Sequence, residues 1–159
     1  MLIKIDLSGK PTTIPQGQFE HIEKHLESIV EKVPQAFIGI DILLIGRQVH
    51  TDRWIVDLLG LDNNGNTVII ELKRNESPRE IVSQAISYCS YFHRNGNLEQ
   101  LNRIAEDYFG QISDEGLLIR KKIKERFGTF PATLNKKQII VLIAEHFPND
   151  ILDDLKRVA

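Results

Sequence analysis

Hydrophobic and polar positions alternate in "MLIKIDL" (residues 1–7), which predicts a short first strand ended by Gly9, Pro11 and Pro15. From Phe19 to Val33 the period changes. Phe19, Ile22, Leu26, Ile29, Val30 and Val33 recur at helical spacing, so a first helix is expected there, closed by Pro34. "DILLIG" (41–46), "RWIVDLLGL" (53–61) and "TVIIELK" (67–73) are rich in Leu and β-branched residues and are punctuated by Gly and Asn, as consecutive strands would be. Ser77-Pro78-Arg79-Glu80 has the order of an N-cap, a first helical position and a capping-box acid, and predicts a helix from about Pro78 to His93. "QIIVLIAEHF" (138–147) then reads as a buried strand and "NDILDDLKRV" (149–158) as a helix after it. The order of elements is mixed α/β: a central sheet with the first helix on one side and the Pro78–His93 helix on the other.

The turn between the second and third central strands sets a register. "DNNGN" (62–66) allows a three-residue loop, Asn63-Asn64-Gly65, in which Gly65 takes the left-handed position after a type I turn. If Asp62 faces Asn66, then Asp57 lies opposite Glu71 and Ile55 opposite Lys73. Opposed side chains on one face have Cβ atoms only ~4.5–5.5 Å apart, and two like charges there repel. Asp57 is also flanked by apolar residues in "WIVDLLGL", where an unpaired carboxylate is costly to desolvate. Either one acid is protonated or a cation lies between them. Mg²⁺, with Mn²⁺ as substitute, suits the position, because it prefers oxygen ligands and commonly takes one or two carboxylates together with substrate phosphates. Lys73 falls on the same face, where its ammonium would hold or polarise a water.

Composition narrows the choice of function. A chain of 159 residues that is 42% hydrophobic supports one core, so a single domain spanning 1–159 is expected. With 22 acidic and 20 basic residues the formal charge is −2, so any polyanion site must be local. Cys89 is the only cysteine, which excludes an internal disulfide and fits a reducing compartment; it reads as a small buried residue. No apolar run approaches the length of a membrane span and no signal peptide opens the chain, so a soluble, cytoplasmic protein without a membrane partner is expected. The five histidines are scattered without a zinc pattern, and no Walker loop or dinucleotide fingerprint is present.

Asp57, then Glu71-Leu72-Lys73, then Gln84-Ala85-Ile86-Ser87-Tyr88 resembles the PD-(D/E)XK, or restriction-endonuclease-like, nuclease superfamily, whose signature is Asp, Glu-x-Lys and, in many members, Gln-x-x-x-Tyr on the next helix. Within it the likeness is to the nuclease domain of NucS-type DNA endonucleases, carried by "GRQVHTDRWIVDLLG", "ELKR" and "VSQAISY" over roughly residues 20–92, with a weaker echo in "IIVLIAEHF". The resemblance implies a restriction-endonuclease-like core and Mg²⁺-dependent hydrolysis of DNA phosphodiesters. Asp57, Glu71 and the Leu72 carbonyl would bind the metal, and Lys73 would position the attacking water. It also implies that Gln84 and Tyr88, one helical turn apart, line the site, although Tyr88 equally belongs to an apolar stripe with Ile81, Ala85 and Phe92. An acid on the first helix, in a Glu-x-x-Leu pattern, fits Glu23 with Leu26, with Glu27 as competitor. Arg47 matches a position where such nucleases often carry an arginine for phosphate, and Arg74 and Arg79 would meet the nucleic-acid backbone.

Residues 119–137, "IRKKIKERFGTFPATLNKK", depart from that family. They hold seven Lys/Arg and one Glu, and lie in a segment, about 99–137, that reads as a helical basic insertion. Arg120, Lys121 and Lys124 are candidate nucleic-acid contacts, although acids early and bases late in a helix also suit its dipole. The partner expected is DNA, with RNA and a homodimer left open. Two alternatives stand beside the nuclease: a catalytically silent nucleic-acid-binding module of the same fold, and an interaction domain in a phage or defence system.

Overall fold

The computed structural model describes residues 2–4, 12–14, 23–76, 80–113 and 117–148, apart from the side chains of 2–4, 12–14, 23–25, 74–76, 145 and 146. Two short strands, β1 (Leu2–Lys4) and β2 (Thr12–Ile14), pair antiparallel. Helices α1 (Glu23–Lys32) and α2 (Pro34–Ile38) lead into strands β3 (Ile42–His50), β4 (Ile55–Asp62) and β5 (Thr67–Glu76). Helices α3 (Glu80–Asn95), α4 (Leu98–Phe109) and α5 (Leu117–Phe127) follow, and strand β6 (Gln138–His146) closes the sheet. The sheet is four-stranded and mixed, in the order β3-β4-β5-β6, with β6 parallel to β5 and the other neighbours antiparallel. A parallel neighbour needs a crossover, and α3 to α5 supply it.

Alternation along the strands divides the core between the two faces. Leu58, Ile70 and Leu72 pack with Leu26, Val30, Phe37 and Ile38 from α1 and α2. Leu59, Leu61 and Ile69 pack with Tyr88, Phe92, Leu101, Ile104, Ile119 and Ile123 from α3, α4 and α5. The expected placement of the first helix and the Pro78–His93 helix on opposite sides therefore holds. So does the expected stripe of α3, whose buried residues are Ile81, Ala85, Tyr88 and Phe92.

Several expectations need correction. Pro34 does not merely close the first helix; it occupies the first turn of α2, where its missing N–H costs nothing. β3 runs four residues beyond Gly46, because Val49 is buried while Arg47 and Gln48 are polar and turned toward a cavity, so their pattern does not read as strand. Strand pairing shifts between Leu44 and Gly46, and a Cβ at Gly46 would stand 2.5 Å from Val49 Cγ2 and 2.7 Å from Ile104 Cγ2. Only glycine fits the kink. Helix α4 falls in the segment read only as helical, with no bounds of its own; Asn97 caps it by accepting from the Gln100 amide at 2.9 Å, and Leu101, Ile104 and Ala105 bury its inner face. Leu118, Ile119 and Ile123 of α5, in the segment read as a helical basic insertion, are also buried. The start of the first helix (19–22), the Ser77-Pro78-Arg79 cap and the helix at 149–158 lie outside the described residues.

The hairpin confirms the register. Leu58 pairs with Ile70 and Leu61 with Thr67, the alignment that sets Asp57 against Glu71. Gly65 has φ 78°, its amide donates to the Asp62 carbonyl at 3.0 Å, and the Asp62 carboxylate accepts from the Asn64 and Asn66 amides at 2.9 and 2.7 Å. A positive φ is what this loop demands of its last residue.

Candidate active site

Regular pairing between β4 and β5 ends at Leu58 and Ile70, one position short of the two acids. There the Asp57 carboxylate leaves its own strand and accepts from the Leu72 amide at 2.8 Å, a side chain taking a ladder partner's place. Tyr88 of α3 donates its hydroxyl to the Ile55 carbonyl at 2.9 Å, tying the helix to the opened end of β4. A cavity of about 550 Å³ lies at this opening, lined by Glu27, Asp57, Glu71, Lys73, Gln84 and Tyr88 among others. Of the residues expected at a site, Asp57, Glu71, Lys73, Gln84, Tyr88 and Arg47 are brought to this one cavity.

The two acids are under electrostatic stress. Burial, and then the charge of Glu71, push the Asp57 carboxyl up to about 6, against the lowering effect of the Leu72 amide and Lys73. Glu71 is only 3% exposed, and burial raises its pKa too, partly offset by the Lys73 ammonium 2.7 Å from its Oε1. Burial and the nearby Glu71 charge hold the Tyr88 phenol well above its ordinary range, so it stays a hydrogen-bond donor. Two buried polar atoms, Oε2 of Glu71 and Oε1 of Gln84, have no hydrogen-bond partner among the described residues. Groups of that kind normally find one, and leaving one unpaired costs roughly 1–3 kcal/mol.

This donor set bears on the expected metal. Among the described residues no group of three or more His, Cys, Asp or Glu is arranged to hold a metal ion. No zinc-type cage is thus formed among the described residues. Two carboxylates with elevated pKa, one carrying an unpartnered buried oxygen, fit a hard cation that takes few protein ligands and keeps water or phosphate for the rest.

A second network braces the cavity from β3 and α1. Arg47 donates from Nη2 to Glu27 at 3.0 Å and from Nη1 to Glu31 at 2.8 Å, and the Tyr108 hydroxyl donates to Glu31 at 2.9 Å. Gln48 Nε2 donates both to Glu27 Oε1 and, at 3.1 Å, to Asp57 Oδ1. Consecutive strand residues ordinarily point to opposite faces. Gln48 escapes that rule because its backbone is left-handed, φ 50°, so that Arg47 and Gln48 both reach Glu27. A non-glycine residue in that region costs of order 1–3 kcal/mol and persists only where its surroundings hold it.

Several sequence expectations change accordingly. Glu27 is the α1 acid that lines the cavity, 5% exposed, whereas the side chain of Glu23 lies outside the described residues. Arg47, expected to meet phosphate, has its guanidinium engaged by the Glu27 and Glu31 carboxylates. Arg79 and the side chain of Arg74 lie outside the described residues. Arg120, Lys121 and Lys124 are exposed on α5, and none of them lines the cavity. Arg120 stacks over Phe130 at 4.4 Å, and Arg126 pairs with Asp41, which precedes β3 at the end opposite Arg47 and Gln48. Cys89 is half-buried, and burial pushes its thiol up to about 11. Gln48, Trp54 and Ile55 line the cavity without having stood out in the sequence. For Gln48 the available signal was the polar pair Arg47-Gln48 set before Val49 at the end of an apolar strand. Among the described residues no helix is long and apolar enough to cross a membrane.

Comparison with known proteins gives a consistent family. The chain is 32% identical over 99 residues to Endonuclease NucS of Bifidobacterium adolescentis, and 40% identical over 52 residues to Endonuclease NucS of Sulfolobus acidocaldarius. These matches take in 62% and 33% of the chain but only 40% and 21% of the relatives, so it spans less than half their length. Among solved structures, the crystal structure of a repair endonuclease from Pyrococcus abyssi aligns over 77% of this chain and 50% of its own, at 20% identity and TM-score 0.40. An EndoMS–dsDNA complex aligns over 73% and 47%, at 20% identity and TM-score 0.37. The family model described as the Endonuclease NucS C-terminal domain matches residues 22–124, the stretch that runs from α1 through α5, and the protein belongs to that family.

Proposed function

We propose that this chain is a divalent-cation-dependent nuclease domain with a restriction-endonuclease-like core, hydrolysing phosphodiester bonds of DNA. The observation that carries the proposal is the cavity in which Asp57 and Glu71 are held together at raised pKa, with Lys73 against Glu71 and Glu71 Oε2 buried without a partner among the described residues. A mixed central sheet with helices on both faces, and the β4–β5 hairpin that sets Asp57 against Glu71, support that reading. NucS-named relatives support the same reading.

Asp57, Glu71 and the Leu72 carbonyl would hold Mg²⁺, or Mn²⁺ in its place. When bound, the ion supplies positive charge to phosphate oxygens and lowers the pKa of water. The side chains do the rest. Lys73 Nζ, 2.7 Å from Glu71 Oε1, donates to the attacking water and orients it toward phosphorus. Gln84 Oε1, buried without a partner among the described residues, accepts a hydrogen bond from water or substrate. Glu27 acts through Gln48, which shares one amide nitrogen between it and Asp57.

The test compares the wild type with Lys73→Ala on single-stranded, duplex and branched DNA, and on RNA, each with Mg²⁺ or Mn²⁺. Cutting of DNA by the wild type, reduced at least about 100-fold in the variant while binding persists, is the expected result. Binding without any cutting by the wild type would replace the enzyme with a silent binding module, and neither binding nor cutting would end the nucleic-acid reading.

A further inference from the structure

Trp54 is the chain's only tryptophan, and it is exposed at the cavity. It is 41% exposed and the adjacent Ile55 42%, and both line the cavity that holds Asp57, Glu71 and Lys73. Single exposed apolar side chains are ordinary. Two adjacent ones on the wall of a cavity built around carboxylates and an ammonium are not, because water gains nothing from them and the polar residues beside them do not cover them.

The position of the indole is also built. The Thr51 amide and hydroxyl each donate to the Trp54 carbonyl at 2.8 Å, and the Trp54 amide donates back to Thr51 Oγ1 at 3.2 Å. These bonds fasten the turn from residue 51 to 54 at the start of β4, three residues before Asp57. The carbonyl of Ile55 is anchored to Tyr88 of α3. The indole therefore stands on a fixed backbone beside the acids and has free ring surface.

We propose that Trp54 is a stacking platform for an unpaired nucleobase of the strand whose phosphate enters the carboxylate cavity. This deepens the nuclease reading and rests on it. An aromatic face recognises any base, since every base has a π-face, and the contact contributes to affinity without reading sequence. Within a duplex both faces of a base are covered by its neighbours. Only a single-stranded, frayed or extruded base offers one, so the platform selects strands with unpaired nucleotides at the cut. A cavity of about 550 Å³ lies in the range that small ligands occupy, and can admit one nucleotide rather than a helix.

Because the tryptophan is unique, its emission reports on this position alone. The wild type, with Ca²⁺ replacing Mg²⁺ and the strands checked by gel to be uncut, is titrated with three labelled probes. They are a single-stranded oligonucleotide, a blunt duplex of equal length, and a strand of abasic sugar-phosphates. Binding is followed by anisotropy alongside the emission. Saturable quenching by the single strand, with little from the duplex and none from the abasic strand, is expected. Trp54→Ala should weaken single-strand binding about 5- to 100-fold, the range for losing one stacked base, and leave abasic binding unchanged; Trp54→Phe should retain most of the affinity. The proposal is overturned if the abasic strand quenches as well as the natural one, or if Trp54→Ala binds the single strand like the wild type. Cutting that persists without any quenching removes the platform alone, whereas absence of both binding and cutting removes the nuclease reading with it. Should Trp54→Ala not fold, the wild-type emission and Trp54→Phe still decide.

Discussion

Neutralising Asp57 should make the protein more stable, with a pH dependence that identifies the cause. Its pKa rises from 3.8 to about 6 on folding, driven first by burial and then by Glu71. That rise corresponds to roughly 3 kcal/mol of disfavoured ionisation. Asp57 is only partly buried, so screening by solvent reduces the usable figure to about 2 kcal/mol. The sign follows from proton linkage. The folded state binds the proton more tightly than the unfolded chain, so the stability of the protonated form is fully present below about pH 4 and is lost as pH rises through about 6. Asp57→Asn mimics the protonated acid. At pH 8 in chelator it should melt about 4–8 °C above the wild type, on the basis of ~2–4 °C per kcal/mol for a chain of this size. At pH 4 the two should melt together. Thermal unfolding by calorimetry from pH 4 to 8 measures the difference, and adding Mg²⁺ at pH 8 should raise the wild type far more than the variant. A variant that melts at or below the wild type at pH 8, or a gap already present at pH 4, would refute the claim that repulsion and desolvation are stored at this residue.

Two further outcomes follow from other positions. Gly65→Ala should lower stability by about 2–3 kcal/mol, read as a urea midpoint shift, because φ is 78° and its Cβ would lie 2.7 Å from Pro131 Cγ and 2.9 Å from the Thr133 carbonyl oxygen; an unchanged midpoint would contradict the turn geometry. Gln48→Ala should cut DNA hydrolysis at least about tenfold, since one amide nitrogen serves both Glu27 and Asp57, whereas Gln48→Gly should lose activity equally yet recover stability by relieving the left-handed backbone; equal activity in the wild type and both variants would show that the bridge does not matter.

The balance of forces at the cavity is unusual for an interior. Glu71 is as buried as a core residue, 3% exposed, yet half of its carboxylate has no partner within the described residues. Lys73, Gln48 and the Leu72 amide each offset part of the negative charge, and they leave both acids with raised pKa. A fold selected for stability alone would have placed Leu or Val at these positions. The β4–β5 ladder gives up its regular pairing where the acids begin.

Local chemistry made the hairpin legible from the residues alone. Asn63-Asn64-Gly65 permits one register, and with strand period two it determined that Asp57 meets Glu71 with Lys73 nearby. Helix spacing determined the buried stripe of α3 in the same way. Other features depend on contacts between distant segments, which no local pattern encodes. That Glu27 enters the cavity depends on how α1 packs against the sheet through Leu26 and Val30. Arg47 is occupied because Glu27 and Glu31, far away in sequence, close on it. The left-handed Gln48, the solvent-facing Trp54 and the burial of α5 beneath its basic surface arise from how β3, β4 and the crossover helices are stacked. A residue's neighbours along the chain set its turn and its period, but the group that finally faces it is chosen by the packing of the whole core.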